Sequence, residues 1–158
     1  MKRIISLIMV VAVILSVFAF AACGKPKTVN KSAQEICSAV IEKSGFGAMT
    51  PVASRDYMDI YGIDTSKLAE SAWFMSENPA VNADEIGVFK VSEAAYAETL
   101  SKIISDRIAR QLQVAETYSP EEAGKLKSAQ VVTQGDWVFY CVGDNASDML
   151  NAFWAQIG

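Results

Sequence analysis

The chain has 158 residues, with 14 Lys and Arg against 18 Asp and Glu, no histidine, and a formal charge of -4. Without histidine there is no Ser-His-Asp or Cys-His catalysis and no histidine-ligated metal site. A net-acidic chain without a basic cluster is also poorly suited to nucleic acid, whose binding rests on phosphate neutralisation.

Lys2 and Arg3 form a short positive start, and Ile4 to Ala22 then carry no charge and only two serines, Ser6 and Ser16. That is the profile of an export leader. Its length also approaches the roughly 20 apolar residues that span a bilayer, so the residues at its end decide between a leader and a span. Phe20-Ala21-Ala22-Cys23 resembles a lipobox, with Phe20 in place of the usual aliphatic residue. The expectation is cleavage between Ala22 and Cys23 and attachment of fatty acyl chains such as palmitate to Cys23. Two such chains hold a protein stably where one does not. Gly24 to Asn30 is polar and contains Pro26, and reads as a tether. The expected organisation is a lipoprotein signal peptide at 1–22, a lipidated cysteine and tether at 23–31, and one domain at 32–158. Loss of Lys2 and Arg3 with the leader leaves 12 basic against 18 acidic residues, a charge of -6.

Ser32-Ala33-Gln34-Glu35 has the form of a capping box and opens a short helix with Ile36, Cys37, Val40 and Ile41 on one stripe, stopped at Ser44-Gly45. A loop over Gly45-Phe46-Gly47 and Thr50-Pro51 leads to a second short helix, capped by Ser54 and ended by Gly62, then a turn over Ile63 to Ser66. Ser71 to Met75 and Glu85 to Val91 read as strands around a loop with Pro79 and Asn82. Ser92 is expected to cap the longest helix, to about Tyr118. Its apolar stripe is Ala97, Leu100, Ile104, Ile108, Leu112 and Ala115, and its far face carries Glu98, Lys102, Asp106 and Arg110. Ser119-Pro120-Glu121-Glu122 starts another helix. Ala129 to Thr133 and Trp137 to Val142 flank Gln134-Gly135-Asp136 as a hairpin. Trp137 to Val142 is apolar on both sides and belongs at the centre of a sheet covered on both faces. Asp144 or Asn145 caps a last helix with Ala146, Met149, Leu150, Phe153, Trp154 and Ile157 on one face. The pattern predicts an α+β domain: a mostly antiparallel sheet of about four strands, in two hairpins, packed by helices.

The lipobox at Cys23, Tyr61-Gly62-Ile63, the stretch Asn82 to Phe89, the long helix running into Tyr118-Ser119-Pro120, and Gly135-Asp136-Trp137-Val138 resemble the bacterial lipoproteins of domain of unknown function 4358 (DUF4358), common in Gram-positive gut anaerobes. The resemblance covers nearly all of the chain after Cys23 and is most specific from Asn82 to Phe89. It implies a surface lipoprotein and carries over no activity, cofactor or catalytic residue.

The residues themselves offer little chemistry. No S-x-x-K, Walker or Rossmann glycine pattern, C-x-x-C or D-x-D-x-D-G loop is present, so no metal and no cofactor is expected. Carboxylate pairs could work without histidine. The options are Asp84 or Glu85 with Asp64, or Asp136 with Asp144, although solvated turn acids are the ordinary state of such residues. Cys37 and Cys141 lie in apolar runs, where buried free thiols behave as small hydrophobes, though an exported protein could also bond them. Tyr57, Tyr61 and Trp73, near the Gly45-Phe46-Gly47 loop, are the candidate binding surface, since exposed aromatics provide contact area at little entropic cost. The function expected is a non-catalytic binding or scaffolding lipoprotein. It would be held on the outer face of the cell membrane by lipid on Cys23, with a protein or another envelope component as partner. A ligand-capturing transporter subunit and a carboxylate-dependent cell-wall hydrolase are the alternatives.

Overall fold

A computed structural model describes residues 29–158; the leader, Cys23 and most of the tether lie outside the described residues. The elements are α1 (Ala33–Ser44), β1 (Met49–Pro51), α2 (Asp56–Tyr61), a 3-10 turn (Thr65–Lys67), β2 (Leu68–Ser76), β3 (Glu85–Val91), α3 (Ala95–Tyr118), α4 (Pro120–Lys127), β4 (Gln130–Gln134), β5 (Trp137–Val142) and α5 (Ala146–Ile157). The five strands form one sheet in the order β1-β2-β3-β5-β4, with every neighbouring pair antiparallel. The fold is α+β, with one strand more than expected. The addition is β1, which the Thr50-Pro51 dipeptide disguised as loop. A proline is acceptable there because β1 is an edge strand, whose outer side needs no donor.

Side-chain alternation divides the core into two layers. From β3 and β5, Ile86, Val88, Trp137, Phe139 and Cys141 face α1 and α5; Phe89, Val91, Val138, Tyr140 and Val142 face α2, α3 and α4. All six residues of β5 are buried, as its two-sided apolar sequence demands, although β3 is the middle strand. Cys37 and Cys141 sit in the α1/α5 layer as free thiols, and burial pushes both up to about 12, which keeps them neutral and unreactive.

Local signals translate unevenly into structure. The Ser32/Glu35 capping box is formed, with Glu35 N donating to Ser32 Oγ at 3.3 Å and Ser32 N to Glu35 Oε2 at 2.8 Å. Gly45 and Gly62 end their helices with φ of 72° and 70°, the left-handed conformation glycine adopts most cheaply. Four expected caps do not form. Ser54 lies outside α2, whose cap position is taken by Arg55 without a side-chain cap bond. Ser92 donates its backbone N–H to Lys67 O at 2.8 Å, which ties it to the sheet margin and delays α3 until Ala95. Ser119 does open α4, but its side chain makes no cap bond. Asn145 turns its Nδ2 to Ser44 O at 3.2 Å, joining the start of α5 to the end of α1.

The two ends of the sheet differ. At one end lie the start of β2, the end of β3 and the start of β5 (Glu70↔Lys90, Lys90↔Trp137). The chain enters the described part here: Ala33 N donates to Glu70 Oε2 at 2.9 Å, Lys31 bonds Gln156 near the end of α5, and Val29 packs on the α1/α5 layer. At the other end, roughly 20 Å away along β2 at ~3.3 Å per residue, are Ser76, Glu85, Val142 and the loop joining β2 to β3.

Gly87 lies at the middle of β3, paired with Trp73 on one side and Tyr140 on the other. A Cβ there would run into the Tyr140 ring and come within 2.7 Å of Phe89. Both rings are fully buried and cannot yield cheaply. Gly87→Ala is expected to lower stability by about 1–3 kcal/mol, read as a lower urea midpoint at unchanged slope; an unchanged midpoint would show that the rings can move aside.

Candidate functional site

The most unusual chemistry is in the core. Glu85, first residue of β3, is 3 % exposed, and its carboxylate points into the α3 layer. Its Oε1 accepts from Trp73 Nε1 at 2.6 Å and from the Tyr140 hydroxyl, and its Oε2 accepts from Arg107 Nη2 at 2.7 Å. The Arg107 guanidinium lies 4.2 Å above the Tyr61 ring and 5.5 Å from that of Trp73, positions in which an aromatic face attracts a cation. Burial alone would depress the Arg107 pKa, but the Glu85 charge and hydrogen bond outweigh it and hold it raised. Tyr140 is pushed well up, first by burial and then by the neighbouring Glu85 charge. All partners of the carboxylate therefore stay protonated at neutral pH. An isolated buried carboxylate would be strongly unfavourable; three donors, one of them cationic, offset that cost. Among the described residues, two buried polar atoms have no partner, Arg107 Nη1 and Gln111 Oε1, one helical turn apart on α3.

The candidate surface of Tyr57, Tyr61 and Trp73 belongs to this cluster. Trp73 lies with its ring 5.1 Å from Tyr57 and 4.1 Å from Tyr61. The three are together, as expected, but Tyr57 and Trp73 are each only 2 % exposed, and Tyr61 is half-buried. They are the wall of the ionic core, closed over by α2 and α3, rather than an open platform.

The considered carboxylate pairs are not assembled. Asp64 caps the 3-10 turn at the chain-entry end of β2, whereas Asp84 and Glu85 are at its far end. Asp136 and Asp144 lie beyond opposite ends of β5. Among the described residues no group of three Cys, Asp or Glu side chains is arranged to hold a metal.

A second, half-buried constellation lies at the far end of the sheet. Lys125 Nζ binds Asp84 at 3.0 Å, Glu122 at 3.3 Å and Asn82 Oδ1 at 3.2 Å, and Ala83 N donates to Glu122 Oε2 at 2.6 Å. Asp84 and Glu122 hold the Lys125 amine above its usual range against a lowering by burial, the largest single influence. This network clamps the β2–β3 loop onto α4. Between that loop, the last turns of α3 and α4 lies a cleft of about 360 Å³, with Val81, Val114, Tyr118, Arg110 and Gln111 on its walls. Val81, Val114 and Tyr118 are 62 %, 60 % and 81 % exposed.

Sequence reasoning passed over Arg107 and this cleft, and met Glu85 only as a turn acid. A signal was present for Arg107 and Gln111: both fall on the helical stripe of Leu100, Ile104, Ile108 and Ala115, where a polar residue must find a buried partner. For Glu85, an acid directly before an apolar strand has the look of a solvated residue, and only the sheet register puts it inside.

The family profile described as domain of unknown function (DUF4358) matches residues 42–143, and the chain belongs to that family. The matched stretch contains Glu85, Arg107 and Tyr140 and every residue lining the cleft. No curated protein and no solved structure matches the chain. Among the described residues no helix is long and apolar enough to cross a membrane.

Removing one partner of a buried ion pair leaves the other uncompensated, at a cost of roughly 3–5 kcal/mol. Arg107→Met and Glu85→Gln should each destabilise on that scale, and the double variant by clearly less than the sum of the two. A denaturation cycle with strictly additive effects would show that the pair is not coupled.

Proposed function

We propose that this protein is a lipid-anchored module on the outer side of the cell membrane that binds or scaffolds an envelope component and performs no catalysis itself. The observation that carries the anchoring is in the sequence: a charged start, an uncharged run from Ile4 to Ala22, and two small residues directly before Cys23. Lipid on Cys23 supplies a hold that two acyl chains make durable. Lys25 and Lys27 then sit where anionic head groups attract cations, by about 1 kcal/mol each.

The binding reading is supported by what the reactive groups are doing. The buried carboxylate Glu85 is occupied by three donors, both thiols are buried and neutral, and the chain contains no histidine. Among the described residues a preformed, largely apolar cleft lies open to a partner.

The anchor is tested in a Gram-positive host expressing the wild-type chain and Cys23→Ser. The wild-type should fractionate with membranes, at a mass that fits a chain beginning at Cys23 with acyl chains attached. The variant should lack that mass. Wild-type recovered from the cytosol with an unmodified Cys23 and an intact leader would refute the reading.

A further inference from the structure

We propose that the cleft between the β2–β3 loop, α3 and α4 is a binding site for a small organic carboxylate with an apolar body. This names the ligand class for the binding role proposed above and rests on that reading. The cleft has about 360 Å³, within the range of small-molecule pockets, which are mostly apolar with a few polar groups that fix orientation. Its shape does not depend on the ligand. Lys125 ties the loop through Asn82 and Asp84, and Glu122 holds Ala83 N, so the wall carrying Val81 is fixed against α4.

The cationic group offered to the cleft is Arg110. Arg110 is exposed and has no ion-pair partner among the described residues. Gln111 also lines the cleft, and Asn82 Oδ1 is engaged by Asp84 N and Lys125. The acid on the wall, Glu122, is engaged by Ala83 N and by Lys125, which it shares with Asp84. An unpaired cation beside exposed Val81, Val114 and Tyr118 suits a ligand that presents a carboxylate to Arg110, whose guanidinium fork matches it in two bonds, and an apolar group to the rest. Since the chain enters at the opposite end of the sheet, a protein held by Cys23 would present this site away from the bilayer. The ligand would then be a soluble or wall-borne acid rather than a membrane lipid.

The test uses the full chain in phospholipid nanodiscs, with 4-phenylbutyrate and 4-phenylbutanamide as probes followed by saturation-transfer NMR, and empty discs as background. The carboxylate should bind saturably and about tenfold more tightly than the amide, the scale of one charge-assisted contact. Arg110→Gln should reduce it to the level of the amide, and Val114→Trp, which fills the cleft from an exposed position, should abolish both. Equal affinity for the two probes, binding indifferent to either substitution, or no binding at all would overturn the proposal. So would a dimer by analytical ultracentrifugation that Val114→Trp dissolves, since a second copy would then be the occupant. The mass at Cys23, read on the same sample, separates failure of the site from failure of the anchor.

Discussion

One carboxylate organises this protein. Glu85 enters the core at the first residue of the middle strand, and its charge is tolerated only because three side chains from three other elements meet it there: Trp73 from β2, Tyr140 from β5 and Arg107 from α3. The constraint is mutual. Arg107 is placed by the apolar periodicity of its helix on the face turned toward the sheet, and without Glu85 it would carry an unpaired charge into the same layer. Apolar burial supplies most of the stabilisation and is in itself non-directional. The ion pair and its hydrogen bonds are directional, and they add a fixed link between α3 and the strands to the packing of Leu100, Ile104 and Ile108.

The domain is a slab with two unlike ends. At one end the chain enters beside Glu70 and the last turn of α5. At the other, α3 runs past the sheet and, with α4 and the β2–β3 loop, encloses the cleft. The Lys125 network extends the principle to the edge of the cleft, where a second set of charges ties the β2–β3 loop to α4. On the proposed anchoring, the cleft lies at the end of the sheet opposite the one where the described chain begins.

The fold was largely legible because its elements are built from strong local patterns: a formed capping box at Ser32, a proline-started α4, the Gly135-Asp136 hairpin with φ of 61° at Gly135, and strands of Glu85 to Val91 and Trp137 to Val142 with the bounds expected. The misses are tertiary. β1 is three residues long and exists only because β2 offers it an edge, and the serine caps were drawn into other hydrogen bonds or left idle. The site was less legible for the same reason. Tyr57, Tyr61 and Trp73 do cluster as expected, yet nothing in their spacing says which side of the sheet α2 covers. Glu85 and Arg107 are 22 residues apart in the chain and meet only through the packing of α3 on β3.

The claim that ties fold to the proposed function is that the described chain begins at one end of the sheet and the cleft lies at the other. Fluorophores attached at Tyr118→Cys, on the cleft, and at Ala155→Cys, near the end of α5, would report it in nanodiscs whose lipid head groups carry a spin-label quencher; Cys37 and Cys141, buried and neutral, should not compete for the label. The account predicts strong quenching at position 155 and little at 118. Quenching that is equal at the two positions, or stronger at 118, would contradict it.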